Sequence, residues 1–249
     1  MKKFKIIISY DGTDFQGWQS QSHKRTISDC LQKTFEKIFS KKVSIIGASR
    51  TDSGVHALGQ VATFKTDLDA FGDKIIRAWN NALPESILIK NIEEVGQEFH
   101  PLKNVIQKVY YYNLFLSEPL PFFARYGWLY ELSGRVDWEK FGQALSLYQG
   151  THDFRSFCKI DEEKNTVRTV NNIYVRKLKR FGILQVVIKG NSFLHFQIRR
   201  MIGYALDVAR RSELSIQYIQ ELLDNPEPRQ TLIKADGKGL VLGKIFYKR

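Results

Sequence analysis

The apolar run from Phe4 to Ser9 predicts a strand, and a polar, glycine-containing loop follows from Tyr10 to Arg25. Ile27, Leu31, Phe35, Ile38 and Phe39 then recur at helical spacing, with Thr26 or Ser28 placed to cap the helix start. Val43 to Ala48 reads as a second strand, the segment around Asp52 as a loop, and Gln60 to Lys65 as a third strand. A helix from Asp73 to Leu83 and a strand from Ser86 to Glu94 complete a β-α-β-β-α-β order, the split βαβ unit of ferredoxin-like folds.

The pattern pauses around Phe99-His100-Pro101, and a long strand rich in β-branched and aromatic residues runs from Val105 to Leu116. A domain boundary is expected near residue 104, separating 1–104 from 105–249. The second part predicts a helix from Asp137 to Tyr148 and strands at Asn171 to Leu178 and Leu184 to Lys189. Helices at Leu194 to Arg210 and Ser215 to Leu223 follow, with a last strand from Leu240 to Tyr247. The fold class is therefore α+β, two ferredoxin-like halves with mainly antiparallel sheets, although no internal sequence repeat marks the duplication.

Composition adds a partner class to this picture. The 249 residues are 43% apolar and 13% aromatic, enough for a real core. The 38 Lys and Arg against 26 Asp and Glu leave a formal charge of +12, which points to a polyanion; a lysine-favouring soluble protein is the bland alternative. Only Cys30 and Cys158 are present, with no close-spaced Cys or His cluster, so neither a disulfide framework nor a zinc site is expected, and a reducing cytoplasm fits. The N-terminal apolar run meets Asp11 too soon for a signal peptide, and no apolar stretch suits a membrane-spanning helix.

Motifs exclude several chemistries. There is no P-loop, no H-E-x-x-H and no zinc-deaminase pair of motifs. Gly237-Lys238-Gly239 with Gly243 has the wrong spacing for a dinucleotide loop and opens no helix. The aromatic run of an RNA-recognition motif is missing too.

The segment Gly47-Ala-Ser-Arg-Thr-Asp-Ser-Gly-Val-His-Ala57 gathers an acid, a base and turn-forming residues into one connection. A carboxylate on a Gly-flanked loop can approach a ligand closely, and an Arg beside it favours the ionised, nucleophilic form. An Asx-turn, with Asp52 bound to its own backbone near Gly54, is the structural alternative.

This segment closely resembles the signature of the tRNA pseudouridine synthase A family, usually Gly-Arg-Thr-Asp-Ala-Gly-Val-His. The resemblance extends through Tyr10-Asp-Gly-Thr-Asp-Phe-Gln-Gly-Trp-Gln19, Gly59-Gln60-Val61, Phe99-His100, Asp153-Phe154-Arg155-Ser156-Phe157 and Asn191-Ser-Phe-Leu-His-Phe-Gln-Ile-Arg199, and so covers nearly the whole chain. It implies a pseudouridine synthase fold, with the C-terminal domain completing the active-site cleft. It also implies isomerisation of uridine to pseudouridine at positions 38, 39 and 40 of the tRNA anticodon stem-loop, without a cofactor or metal. By the same resemblance Asp52 is the nucleophile, acting at C1′, at the base or through glycal formation. Tyr110 contacts the target uracil, Arg199 pairs with the catalytic carboxylate, and the protein is a homodimer.

The residues themselves allow those roles. Alternation puts Lys108, Tyr110 and Tyr112 on one face of their strand, the more polar one, and Tyr111 on the other, with core packing as the alternative for either Tyr. Leu194, Ile198, Met201, Ile202, Ala205 and Ala209 form a buried stripe that Arg199 borders, in one row with His195 and Gly203; a surface Arg on phosphate is the alternative. Extruding a stacked base costs roughly a few kcal/mol, and Arg50 is placed to fill the vacated space or hold the flipped nucleotide. Lys24, Arg25, Lys41, Lys42, Arg176, Lys177, Lys179 and Arg180 contribute to a field for tRNA phosphates rather than to assigned contacts.

The chain departs from the family pattern at Ser49, which replaces Gly, at Pro101-Leu102, where an Arg is common, and at Ser53, which replaces Ala and is expected to hydrogen-bond Asp52. The rival readings are a non-catalytic tRNA-binding protein on the same scaffold and a hydrolase that cleaves the glycosidic bond.

Overall fold

A computed structural model of the chain describes residues 1–68, 72–159, 165–228 and 232–248. It divides into two compact units, Met1–Ile106 together with Val241–Arg249, and Gln107–Leu240. A single cut near residue 104 places the final strand in the second domain; in the structure that strand belongs with the first unit.

The first unit holds β1 (Lys2–Tyr10), α1 (Ile27–Phe39), β2 (Ile46–Gly47), β3 (His56–Thr66), α2 (Asp73–Ala82), β4 (Ile87–Val95) and β10 (Leu240–Tyr247). β1 lies between β4 and β3, antiparallel to both, so β4-β1-β3 reproduces the expected split βαβ arrangement. Phe4, Ile6, Ile8 and Tyr10 alternate inward along β1 and are buried. The helices cover that face through an aromatic cluster: Phe35 meets Trp79 at 4.8 Å and Phe64 at 5.3 Å, and Phe64 meets Trp79 at 5.6 Å, all three edge-on. Burying each such ring contributes roughly 1.5–3 kcal/mol.

The outer edge of β3 is divided between two partners. Ile46 and Gly47 pair antiparallel with Thr63 and Ala62, while Val241 and Leu242 pair parallel with His56 and Ala57. This explains two differences from the sequence expectation. The strand read at Val43 to Ala48 is reduced to the two residues of β2, and β3 begins at His56, four residues before Gln60. Gly59 lets the backbones meet there, since a Cβ on it would lie 2.7 Å from the Gly243 carbonyl oxygen. Thr26 is the α1 N-cap, its hydroxyl accepting from the Asp29 amide at 3.3 Å.

The second unit contains β5 (Val105–Phe115, its first two residues in the first unit), β6 (Trp128–Leu129), α3 (Trp138–Ser146), β7 (Gly150–Asp153), β8 (Val167–Leu178), β9 (Ile183–Gly190), α4 (Gln197–Arg210) and α5 (Gln217–Asp224). Its antiparallel order is β5-β9-β8-β7, with β6 parallel to the end of β5. The short β6 and β7 were not expected, and β8 starts four residues before Asn171. α4 packs against α3 and α5 and is buried nearly all round from Met201 to Ala209, not along one stripe. No helix among the described residues is long and apolar enough to cross a membrane.

Asp207 on α4 fixes the chain that leads into β10. Its carboxylate is almost fully buried, accepts the Ile233 amide at 3.0 Å, and pairs with Arg210 at 3.0 Å and Arg211 at 3.4 Å. Asp207→Ala strips a partner from the half-buried Ile233 amide and from Arg210, at a cost of about 3 kcal/mol. The expected result is a Tm lowered by about 10 °C, read by calorimetry; a Tm within about 2 °C of the parent would show that water replaces the carboxylate without loss.

Candidate active site

The Asp52 loop is held by the loop that follows β1. Trp18 donates its amide to the Thr51 carbonyl at 3.0 Å, and the Gly54 amide donates to the Phe15 carbonyl at 3.3 Å. The Thr51 hydroxyl lies 2.8 Å from the buried Tyr10 hydroxyl. Within the loop, the Val55 amide donates to the Asp52 carbonyl at 3.2 Å, closing a four-residue turn in which Gly54 adopts φ 74°. That left-handed conformation is what Gly at the third turn position supplies. The Gly54 amide, which an Asx-turn would direct at the Asp52 side chain, points to Phe15.

Upstream, the Gln60 side chain bridges the Ser49 backbone, accepting its amide at 3.2 Å and donating to its carbonyl at 2.6 Å. Ser49, in place of the family's Gly, thus fits a buried position with both backbone groups satisfied. Ser53 does not play the part expected of it: its hydroxyl donates to the Phe15 carbonyl at 3.2 Å, another tie between the loops. Asp52 is left half-buried between buried Thr51 and exposed Ser53, on backbone that is bonded on both sides. Such a carboxylate is reachable from solvent yet restricted in position, as nucleophilic attack on a held substrate requires. Arg50, beside it, is exposed.

Sequence reasoning missed the support beneath this turn. His56 is buried, and its Nδ1 lies 3.1 Å from both the Gly12 amide and the Asp11 carboxylate. His56 and Asp11 stood in the quoted motifs, but only the pairing of the two loops brings them together.

In the second unit, Tyr110 on β5 is 5% exposed, its ring edge-on to Phe193 at 5.3 Å. It shares its face with Lys108 and Tyr112, which are also buried, and burial pushes the Lys108 ammonium down to about 8. Tyr111, on the other face, is the more accessible, with the Arg176 guanidinium 5.7 Å from its ring centre.

Arg199 lies in the first turn of α4, half-buried. Its Nε donates to the Ala235 carbonyl at 2.9 Å, the Ala235 amide returns a bond to the Arg199 carbonyl at 3.0 Å, and its guanidinium stands 5.2 Å over the Phe196 ring. Tyr112 donates to the neighbouring Asp236 carbonyl at 2.8 Å. Burial raises its phenol well above the ordinary range, Asp236 adds to this and Arg199 opposes it. The helix starts at Gln197 and not at Leu194, so His195 precedes it and does not share a helical row with Arg199. At the N-cap, Phe196 is a non-glycine residue in left-handed backbone, φ 65°, a conformation typical of functional sites.

Comparison with known proteins identifies the family. A family model described as tRNA pseudouridine synthase matches residues 6–102 and 144–248. The tRNA pseudouridine synthase A of Thermodesulfovibrio yellowstonii is 36% identical over 99% of this chain and 100% of its own length. The corresponding proteins of Pseudothermotoga lettingae and Aquifex aeolicus are 35% and 32% identical, each over 99% of this chain and 100% of their own. The chain belongs to the tRNA pseudouridine synthase family, enzymes that isomerise uridine to pseudouridine in tRNA.

Proposed function

We propose that this protein forms pseudouridine at positions 38, 39 and 40 of the tRNA anticodon stem-loop, with Asp52 as the nucleophile. The observation that carries the reading is the clamped, half-buried Asp52 turn, held by Thr51, Ser53 and Gly54 against Phe15 and Trp18. The reaction breaks the bond between N1 and C1′, turns the uracil within the site, joins C5 to C1′ and moves the C5 proton to N1 with solvent exchange. Tyr110 contacts the base, Arg50 fills or holds the space left by the extruded nucleotide, and Arg199 supports the carboxylate. The basic excess binds phosphates. By the family resemblance we further propose a cytoplasmic homodimer, for which light scattering showing a monomer at working concentration is the contrary result.

The test incubates purified protein with an unmodified tRNA transcript and maps pseudouridine along it. Product at positions 38 to 40, at constant RNA mass, is expected. Free uracil would identify a hydrolase, and binding without product a non-catalytic scaffold. Arg199→Ala is expected to lower kcat by about 10²-fold, the scale of a lost charge-stabilising donor, while tRNA Kd changes less than about threefold. The reverse pattern would make Arg199 a phosphate contact.

A further inference from the structure

A groove of about 630 Å³ lies between the 20–25 loop and the first two turns of α1, lined by His23, Lys24, Arg25 and Lys33 among others. Asp29 is the one carboxylate in its lining, and it accepts the Thr26 hydroxyl at 2.8 Å. The opening amides of α1 are already used: Ile27 donates to the Gly17 carbonyl, Ser28 to the Trp18 carbonyl and Asp29 to the Thr26 hydroxyl. Any anion in the groove is therefore held by side chains, not by the helix end. Lys24, Arg25 and Lys33 are exposed, and the Lys24 ammonium reaches the Gln21 side chain at 3.0 Å. The Arg25 guanidinium stacks 4.8 Å over the Phe15 ring.

The same backbone strip serves this groove and the Asp52 loop. On one side, Gln16 donates to the Arg25 carbonyl at 2.8 Å, and Gly17 and Trp18 accept from α1; on the other, Trp18 bonds Thr51, and Phe15 accepts from Ser53 and Gly54. The groove and the Asp52 loop thus flank one strip of hydrogen-bonded backbone.

We infer that this groove binds a phosphodiester of the substrate RNA, close in sequence to the extruded nucleotide, through Lys24, Arg25 and Lys33. It turns part of the general basic field into a positioned contact, and it rests on the reading of the chain as an enzyme acting on tRNA. Its charge sits on backbone bonded to the catalytic turn, so strand position and nucleophile position are set by one rigid strip.

The test compares Lys24→Gln with Lys33→Gln, as a double variant, against a charge-matched double variant, Lys37→Gln with Lys74→Gln, whose exposed lysines lie outside the groove. Fluorescence anisotropy with an unmodified tRNA transcript, from low to high salt, gives the slope of log K against log salt. Each lost phosphate contact lowers that slope by about 0.9, so the groove pair, which holds one phosphodiester, is expected to lower it by about 0.9 and to raise KM about tenfold. The control pair is expected to change the slope by less than about 0.5. Equal slopes for the two pairs would overturn the inference, leaving only the net field. If the parent protein made no pseudouridine while the groove pair still lowered the slope, the enzymatic reading would fail and the RNA contact would stand.

Discussion

Asp52→Ala is expected to abolish pseudouridine formation, by at least about 10⁴-fold, the scale on which loss of a covalent nucleophile acts, while tRNA binding stays within about threefold. The turn is closed by the Asp52 carbonyl, which accepts from Val55, and the loop is pinned through Thr51, Ser53 and Gly54. Truncating the side chain leaves all of those bonds available, so the variant should fold like the parent. Asp52→Asn keeps the shape and removes the charge, and it should be as inactive as the alanine variant. Single-turnover assays with tRNA in excess of Kd separate the chemical step from binding. Full activity in Asp52→Ala would remove the residue from the mechanism, and weakened binding in proportion to lost activity would make it a substrate contact.

The elements legible in the sequence were those with strong local pattern. β1 and α1 alternate at their own periods, and Thr26 carries the helix-start signal that the structure uses. What stayed hidden was pairing across the chain. Nothing in Val43 to Ala48 reveals that β10, some two hundred residues on, takes part of the β3 edge. β7, Gly150-Thr-His-Asp153, has almost no β-branched content and exists because β8 offers it a partner edge.

The site divides in the same way. Asp52 stood out because acid, base and turn residues are adjacent in sequence, whereas His56 and Asp11 meet only once the two loops pack. Ser53 was misread because its nearest neighbour in sequence, Asp52, is not the partner its hydroxyl takes across the fold. Lys108 illustrates a limit of alternation: the period grouped it with Tyr110 and Tyr112 but does not tell which face is buried, and the structure buries all three.

Gly12→Ala should damage both stability and catalysis, although it touches no reacting group. A Cβ there would lie 2.0 Å from the Val55 carbonyl oxygen and 2.6 Å from its carbon, both backbone atoms that cannot rotate aside. Relief requires the two loops to part. That movement stretches the Gly12 amide bond to His56 Nδ1, 3.1 Å in the parent, and shifts Val55, the closing residue of the Asp52 turn. Overpacking of this kind costs about 3 kcal/mol, a Tm lower by about 10 °C, and a displacement near 1 Å at the nucleophile lowers kcat by about 10²-fold. Gly142→Ala is the contrast, since its Cβ meets nothing within 4 Å on α3, and it should stabilise the protein by about 0.5–1 kcal/mol. Calorimetry and single-turnover kinetics on both variants read the difference. A Gly12→Ala protein with parental Tm and kcat would show that the two loops are free to separate, and that the Asp52 turn does not depend on their contact.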